Sequence, residues 1–161
     1  MDKPISWNAF FMGAALLAAK RSKDPNTKVG ATVASPDNKL VGIGYNGFPR
    51  GCEEDAFPWA REGSFLETKY PFVCHAEVNA LHNSIIRPEG CTLYSTLFPC
   101  HECAKFIIQA GIARVYYLED KYHESDSAKA ARLMFSNAGV AYAQIKFALK
   151  NILITFSGEA E

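Results

Sequence analysis

The chain has 161 residues, with 17 basic and 17 acidic side chains and no net formal charge. That balance argues against long nucleic acid as a partner, because proteins that grip it present a basic surface; a local pocket for one phosphate stays open. No apolar run approaches the roughly 18 residues of a membrane span, and there is no basic-then-apolar leader. With five cysteines, an odd number, the expectation is a cytoplasmic protein in a reducing setting, with no membrane partner.

The length suits one domain over residues 1–161. Ser6 is placed to cap a helix over 7–22, in which Phe10, Ala14, Leu17 and Met12, Ala15, Ala19 recur at helical spacing and read as core. The helix must stop before Asp24-Pro25, since a residue preceding proline avoids the helical region. The polar run 21–28 follows. It reads either as a solvated loop or as an anion pocket, in which an arginine fork and lysine point charges hold phosphate. Residues 28–35 and 39–45 read as a hairpin around Pro36-Asp37-Asn38. Gly30, Gly42 and Gly44 are unusual in strands; they permit close packing or a ligand near the backbone.

Asn46-Gly47 is a turn signal. It opens an irregular segment, 47–72, of a length usually reserved for functional or mobile loops. Its aromatic residues and mixed charge argue against disorder. We read it as a packed insertion that belongs to a binding site or a subunit contact. Then come a helix over 75–85, a strand over 92–97, a helix over 100–110 stopped by Gly111, and a strand over 113–119. After the loop 120–124, a helix over 125–137 is capped by Ser125 or Asp126 and ended by Gly139. A strand over 140–145 and an extended segment over 151–156 complete the chain. The order predicts an α/β protein, a three-layer α/β/α sandwich around a mixed five-stranded sheet, antiparallel in the first hairpin and parallel at the later crossovers.

Two stretches carry chemistry: Cys74-His75-Ala76-Glu77 and Phe98-Pro99-Cys100-His101-Glu102-Cys103. Together they make H-x-E followed by P-C-x-x-C, the mark of zinc-dependent nucleobase deaminases. Catalytic zinc takes three protein ligands and leaves the fourth position to water; His75, Cys100 and Cys103 supply three. Glu77, two residues past His75, falls in the first turn of its helix, close to the metal and free to carry protons. Pro99 suits the first turn of the next helix, which puts Cys100 and Cys103 on one face. Both ligand sets then sit at helix N-termini, where the dipoles favour thiolates. The competing reading is a structural zinc with a fourth protein ligand. Cys74 and His101 are badly placed for that role, and Cys52 and Cys91 remain as donors.

The chain resembles the deoxycytidylate (dCMP) deaminases of the zinc-dependent cytidine deaminase superfamily. The resemblance runs through Arg21-Ser22-Lys23-Asp24-Pro25-Asn26, Val41-Gly42-Ile43-Gly44-Tyr45-Asn46-Gly47, Thr68-Lys69-Tyr70-Pro71, the two zinc stretches, Ile107-Ile108-Gln109-Ala110-Gly111 and Asp120-Lys121-Tyr122-His123. It covers roughly residues 5–157 and implies a cytidine deaminase-like fold. It implies conversion of dCMP and water to dUMP and ammonia, supplying dUMP for thymidylate synthesis. It also implies a homo-oligomer, commonly a hexamer, activated by dCTP with Mg2+ and inhibited by dTTP.

Carried over by position, His75, Cys100 and Cys103 hold Zn2+ and Glu77 moves protons. Asn46 meets the sugar, and the Ala76 N–H meets the base. Arg21, Lys23, Asn26 and Tyr122 hold the phosphate, and Gly44, Tyr45, Asn46 and Gly47 belong to the effector-sensing region. His82 and His101 read as ordinary histidines. Two other readings stay open: a deaminase that also accepts dCTP, and a non-catalytic, zinc-stabilised nucleotide-sensing scaffold. The intact Glu77 weighs against the scaffold.

Overall fold

Ser6 starts the first helix as its position predicts. Its Oγ accepts the Ala9 N–H at 3.2 Å, and α1 runs Trp7–Ala19. The computed structural model describes residues 3–53, 55–147 and 153–155; of the expected extended segment 151–156, residues 153–155 are described and join no strand, and the rest lies outside the described residues. The remaining elements are β1 (Gly30–Ala34), β2 (Leu40–Tyr45), α2 (Ala76–His82), β3 (Thr92–Leu97), α3 (His101–Gln109), β4 (Arg114–Glu119), α4 (Asp126–Ala138) and β5 (Ala141–Gln144). A short 3₁₀ turn, Phe65–Glu67, interrupts the insertion.

The sheet order is β2-β1-β3-β4-β5. β1 pairs antiparallel with both β2 and β3, while β3–β4 and β4–β5 are parallel. Alternate residues face opposite layers, as the strand period demands. Val33, Leu93, Val115 and Tyr117 join α2, α3 and α4 in the larger core, with Ala80, Ile107 and Phe135. Tyr94 and Ala34 turn the other way to meet Phe11, Met12 and Ala15 of α1. The result is the α/β/α sandwich expected, with α1 the one helix on its face among the described residues.

Of the two roles open for the strand glycines, the structure favours close packing. A Cβ on Gly30 would lie 1.9 Å from the Ala15 carbonyl oxygen of α1, and one on Gly44 would lie 2.3 Å from the Ala80 nitrogen of α2. The missing side chains let both helices settle directly on the sheet.

Three expectations need correction. α1 ends at Ala19, short of residue 22, because the Lys20, Arg21 and Ser22 N–H groups turn back to carbonyls three residues earlier. The Phe10–Leu17 stripe is outside the core: these side chains are 44% and 57% exposed, beside Trp7 at 55%. A helix that is apolar all round carries no amphipathic signal to say which face turns inward. Pro99 precedes α3 rather than opening its first turn, because Cys100 is the N-cap.

The insertion is packed. Phe48 stacks on Trp59 with ring centroids 4.2 Å apart, and Phe57 lies against Phe72 at 4.6 Å. A backbone bridge between Gly47 and Cys74 joins its two ends.

Candidate active site

α2 and α3 present their N-termini to one spot. His75 is the N-cap of α2 and Cys100 the N-cap of α3. The His75 Nδ1 lies 3.3 Å from the Sγ of Cys100 and 3.3 Å from the Sγ of Cys103. All three donor atoms fall within 4.8 Å of one another, the one such group among the described residues. One nitrogen and two sulfurs at that spacing suit tetrahedral zinc with a fourth position open. Cys91 is buried in the core, and neither it nor Cys52 or Cys74 joins the group. His101 turns away: its Nδ1 is 2.8 Å from the Ser127 Oγ.

Left to themselves, the three ligands compete for protons. Cys103, and then His75, pull the Cys100 thiol down to about 4 against the effect of burial. The Cys100 sulfur raises His75 to about 9. Cys103 is driven well above its ordinary value, first by Cys100 and then by burial. The three groups thus share protons among them, and a divalent cation bound there would displace those protons.

Glu77, in the first turn of α2, is 4% exposed. The Ser95 hydroxyl donates to one carboxylate oxygen at 3.3 Å, and the Cys103 Sγ lies 3.5 Å from the other. Burial raises its pKa above the ordinary glutamate value, which suits a group that must take and release protons near neutrality.

This floor opens into a cavity of about 280 Å³ whose walls include Asp24, Asn46, Arg61, Lys69, Tyr70, Ala76, Phe98, Asp120 and Tyr122. Of the candidate site residues, His75, Glu77, Cys100, Ala76, Asn46 and Tyr122 line it. Ala76 is fully buried at the first position of α2, where backbone N–H groups have no partner within the helix.

Arg21, Lys23 and Asn26 do not reach this cavity. Arg21 and Lys23 instead line a second cavity of about 170 Å³ together with Tyr45, Gly47, Phe48, Cys52 and Trp59. Asn26 donates to the Trp59 carbonyl at 3.1 Å. The loop 21–28 is therefore divided: Arg21, Lys23 and Asn26 face the insertion, while Asp24 and Thr27 line the catalytic cavity. Gly44 sits under α2, and Asn46 belongs to both cavities.

A buried network separates the two cavities. The Asp24 carboxylate, 1% exposed, pairs with the Lys69 ammonium and accepts the Asn26 and Thr27 N–H groups at 2.8 and 3.1 Å. Lys69 and these N–H groups hold its pKa below the ordinary 3.8, although desolvation pushes the other way. The Asn46 amide donates to Asp24 at 3.2 Å and to the Thr27 carbonyl at 2.9 Å, while its oxygen accepts the Val29 N–H at 2.8 Å. In this arrangement both ends of the Asn46 amide are engaged by the protein. Lys69, Asp24 and Arg61 were not among the residues expected in the site. The signal for Lys69 was present in Thr68-Lys69-Tyr70-Pro71, but nothing in the insertion's pattern showed which of its charges turn inward.

A mixed sheet carrying His, Cys and Cys at two helix N-termini, with a buried glutamate against them, defines a zinc-dependent hydrolytic deaminase. A model of the cytidine and deoxycytidylate deaminase zinc-binding region matches residues 5–119. Human deoxycytidylate deaminase is 52% identical over 157 residues, covering 96% of this chain and 88% of the relative. A probable deoxycytidylate deaminase of Drosophila melanogaster is 48% identical over 159 residues, covering 94% and 78%. The crystal structure of dCMP deaminase from the cyanophage S-TIM5 in complex with dCMP and dUMP superposes with a TM-score of 0.69 at 31% identity, over 90% of this chain and all of that one. The chain belongs to the cytidine and deoxycytidylate deaminase family.

Proposed function

We propose that this enzyme hydrolyses dCMP to dUMP and ammonia, as a single catalytic domain with the insertion 47–72 attached. The observation that carries the reading is Glu77 buried against the His75–Cys100–Cys103 group at the floor of a cavity. A zinc ion held by those three residues would supply a water activated at neutral pH. Glu77 carries a proton from the attacking water to N3 of cytosine as oxygen adds to C4. It then takes the remaining proton of the added water from the C4 hydroxyl and delivers it to the amino nitrogen; the C4–N bond breaks, the C4 carbonyl forms, and ammonia leaves. The Ala76 N–H orients the base, and Asn46, Thr27 and Val29 shape the wall beside the sugar.

We propose the second cavity as the seat of a regulatory triphosphate with Mg2+, where dCTP activates and dTTP inhibits. Support comes from the two basic side chains, Arg21 and Lys23, beside Tyr45, Gly47 and Trp59 in its wall. The shared Asn46 and its bond to Asp24 give a contiguous path to the catalytic cavity. The exposed apolar side chains of α1, Trp7, Phe10, Leu16 and Leu17, support a homo-oligomer in which a second copy covers them; the hexamer is what the family resemblance implies. None of the five cysteines is in a disulfide, in keeping with a reducing, cytoplasmic setting. No described helix is long and apolar enough to cross a membrane.

The test is to offer the zinc-loaded protein dCMP, deoxycytidine, CMP and dCTP separately, each alone and with dCTP–Mg2+ or dTTP as effector. Conversion of dCMP to dUMP, raised by dCTP and suppressed by dTTP, is the expected result. Turnover of dCTP would broaden the substrate range. No turnover of any nucleotide with zinc bound would leave the scaffold reading standing.

A further inference from the structure

β3 is the central strand of the sheet, and a polar side chain in its middle needs a reason. Ser95 is fully buried there, paired with Ala31 of β1 and Tyr117 of β4. Strand alternation puts it on the same face as Leu93, beneath α2 and α3. A buried hydroxyl costs free energy unless it is hydrogen-bonded. The neighbouring buried hydroxyls serve the backbone: Thr32 donates to the Phe11 carbonyl at 3.0 Å, and Thr96 accepts the Gly30 N–H at 3.1 Å. Ser95 differs. Its Oγ accepts the Leu97 N–H at 3.4 Å, and its proton has one acceptor among the described residues, Glu77 Oε1 at 3.3 Å.

Glu77 reaches the site through a flexible side chain whose last torsion, next to the planar carboxylate, has only broad preferences. Burial keeps water away but does not decide which oxygen faces the metal ligands. The two oxygens are held separately: Oε2 lies 3.5 Å from the Cys103 Sγ, and Oε1 takes the Ser95 hydroxyl. Among the described residues no other side chain hydrogen-bonds either oxygen. Cys103 belongs to the His75–Cys100–Cys103 group, and a cation bound there claims its sulfur. Ser95 stands on the sheet outside that group and outside the cavity wall, so its hold on Oε1 does not depend on the metal.

We propose that Ser95 is a positioning residue for the reaction: from the middle of β3 its hydroxyl fixes the plane of the Glu77 carboxylate, so that Oε2 stays turned toward the metal ligands. This deepens the deaminase reading above and rests on it. A proton carrier works only with its accepting oxygen within hydrogen-bond reach of the group that gives up the proton, and small misplacements cost rate. Ser95 touches neither the substrate cavity nor the metal ligands, so it acts through Glu77 alone. Its removal should therefore slow the chemical step and leave nucleotide binding and zinc in place.

The experiment compares the zinc-loaded parent with Ser95→Ala, Ser95→Thr and Ser95→Val, measuring kcat and KM for dCMP and the zinc content of each. In Ser95→Ala kcat is expected to fall about three- to tenfold, the usual weight of one hydrogen bond, with KM within about twofold of the parent's and zinc unchanged. Ser95→Thr and Ser95→Val add the same bulk to the strand and differ in the hydroxyl, so the first should exceed the second in kcat by a similar factor. A kcat for Ser95→Ala within about twofold of the parent's, equal kcat for the Thr and Val variants, or a loss that lies in KM or in zinc would overturn the assignment. A second readout needs no turnover. Ser95→Ala should lower the Tm of the parent but not that of Glu77→Met, where the hydroxyl has lost its acceptor; equal lowering in both would show that the two side chains are not coupled and would likewise overturn it. If the parent deaminates no nucleotide, the function proposed above fails, and the Tm comparison still decides on its own whether Ser95 holds Glu77.

Discussion

At the floor of the catalytic cavity every reactive group is fixed by a helix end or a buried neighbour; at its mouth the side chains come from the insertion and from the loop after β4, and stand half in water. His75 and Cys100 are N-caps, Cys103 and Glu77 lie in first turns, and Cys103 and Glu77 are almost wholly buried. Arg61, Tyr70 and Tyr122 are held by a 3.4 Å hydrogen bond and ring contacts, with no helix behind Arg61 or Tyr70. The contrast suits the two tasks. Proton transfer needs atoms held within a few tenths of an ångström, whereas a phosphate must enter, be recognised and leave.

The largest effect expected is at the floor. Glu77→Gln should keep its zinc, measured by metal analysis, and lose turnover by about a hundred- to ten-thousandfold, the span of general acid–base contributions. Turnover near the parent's would remove Glu77 from the mechanism. Chelation of the metal should abolish activity while most far-ultraviolet circular dichroism survives, because both cores consist mainly of aliphatic and aromatic side chains. Wholesale unfolding on chelation would instead favour a structural zinc.

Between floor and mouth lies the Asp24–Lys69 pair. Lys69→Met would leave a buried carboxylate without its partner and should cost about 3 kcal/mol in denaturant unfolding. The pH dependence has a definite sign. Asp24 titrates below its ordinary 3.8 in the folded protein, so the pair's contribution is fully present above that pH and drains away as pH falls through the lower folded value. The gap between parent and variant should therefore be widest near neutrality and narrow in strong acid; a gap independent of pH would show that the charge pair is not its cause.

Smaller still is Gly44→Ala. The added methyl would meet α2 backbone at 2.3 Å, and overpacking of this kind costs about 1–3 kcal/mol. If Gly44 serves only packing, effector response should survive in the fraction that remains folded.

The floor was legible in the sequence because its residues are close in the chain and obey helix rules. H-x-E and P-C-x-x-C each place their groups at one helix start, and the caps, Gly111 and the bounds of β3 followed from local signals. Of the mouth only Tyr122 was legible, through Asp120-Lys121-Tyr122-His123. Arg61 and Lys69 come from a stretch without period, so nothing local told which charge would be buried on Asp24 and which would face the cavity. Arg21 and Lys23, expected at the substrate phosphate, line the second cavity instead, for a related reason. A polar loop beside Asn46 can face either side of it, and only the packing of Trp59 and Phe48 decides. The outward turn of Phe10 and Leu17 was hidden by a helix with no polar face to orient it.

The most direct measurement of the central claim is the fate of solvent oxygen. The zinc-loaded enzyme would be given dCMP in water enriched in oxygen-18, with dUMP followed by mass spectrometry and ammonia assayed alongside. Hydrolytic attack at C4 predicts one heavy oxygen in each dUMP, one ammonia for each dUMP formed, and near-complete loss of both products in Glu77→Gln. Absence of dUMP, or dUMP formed at the parent's rate by Glu77→Gln, would contradict the account.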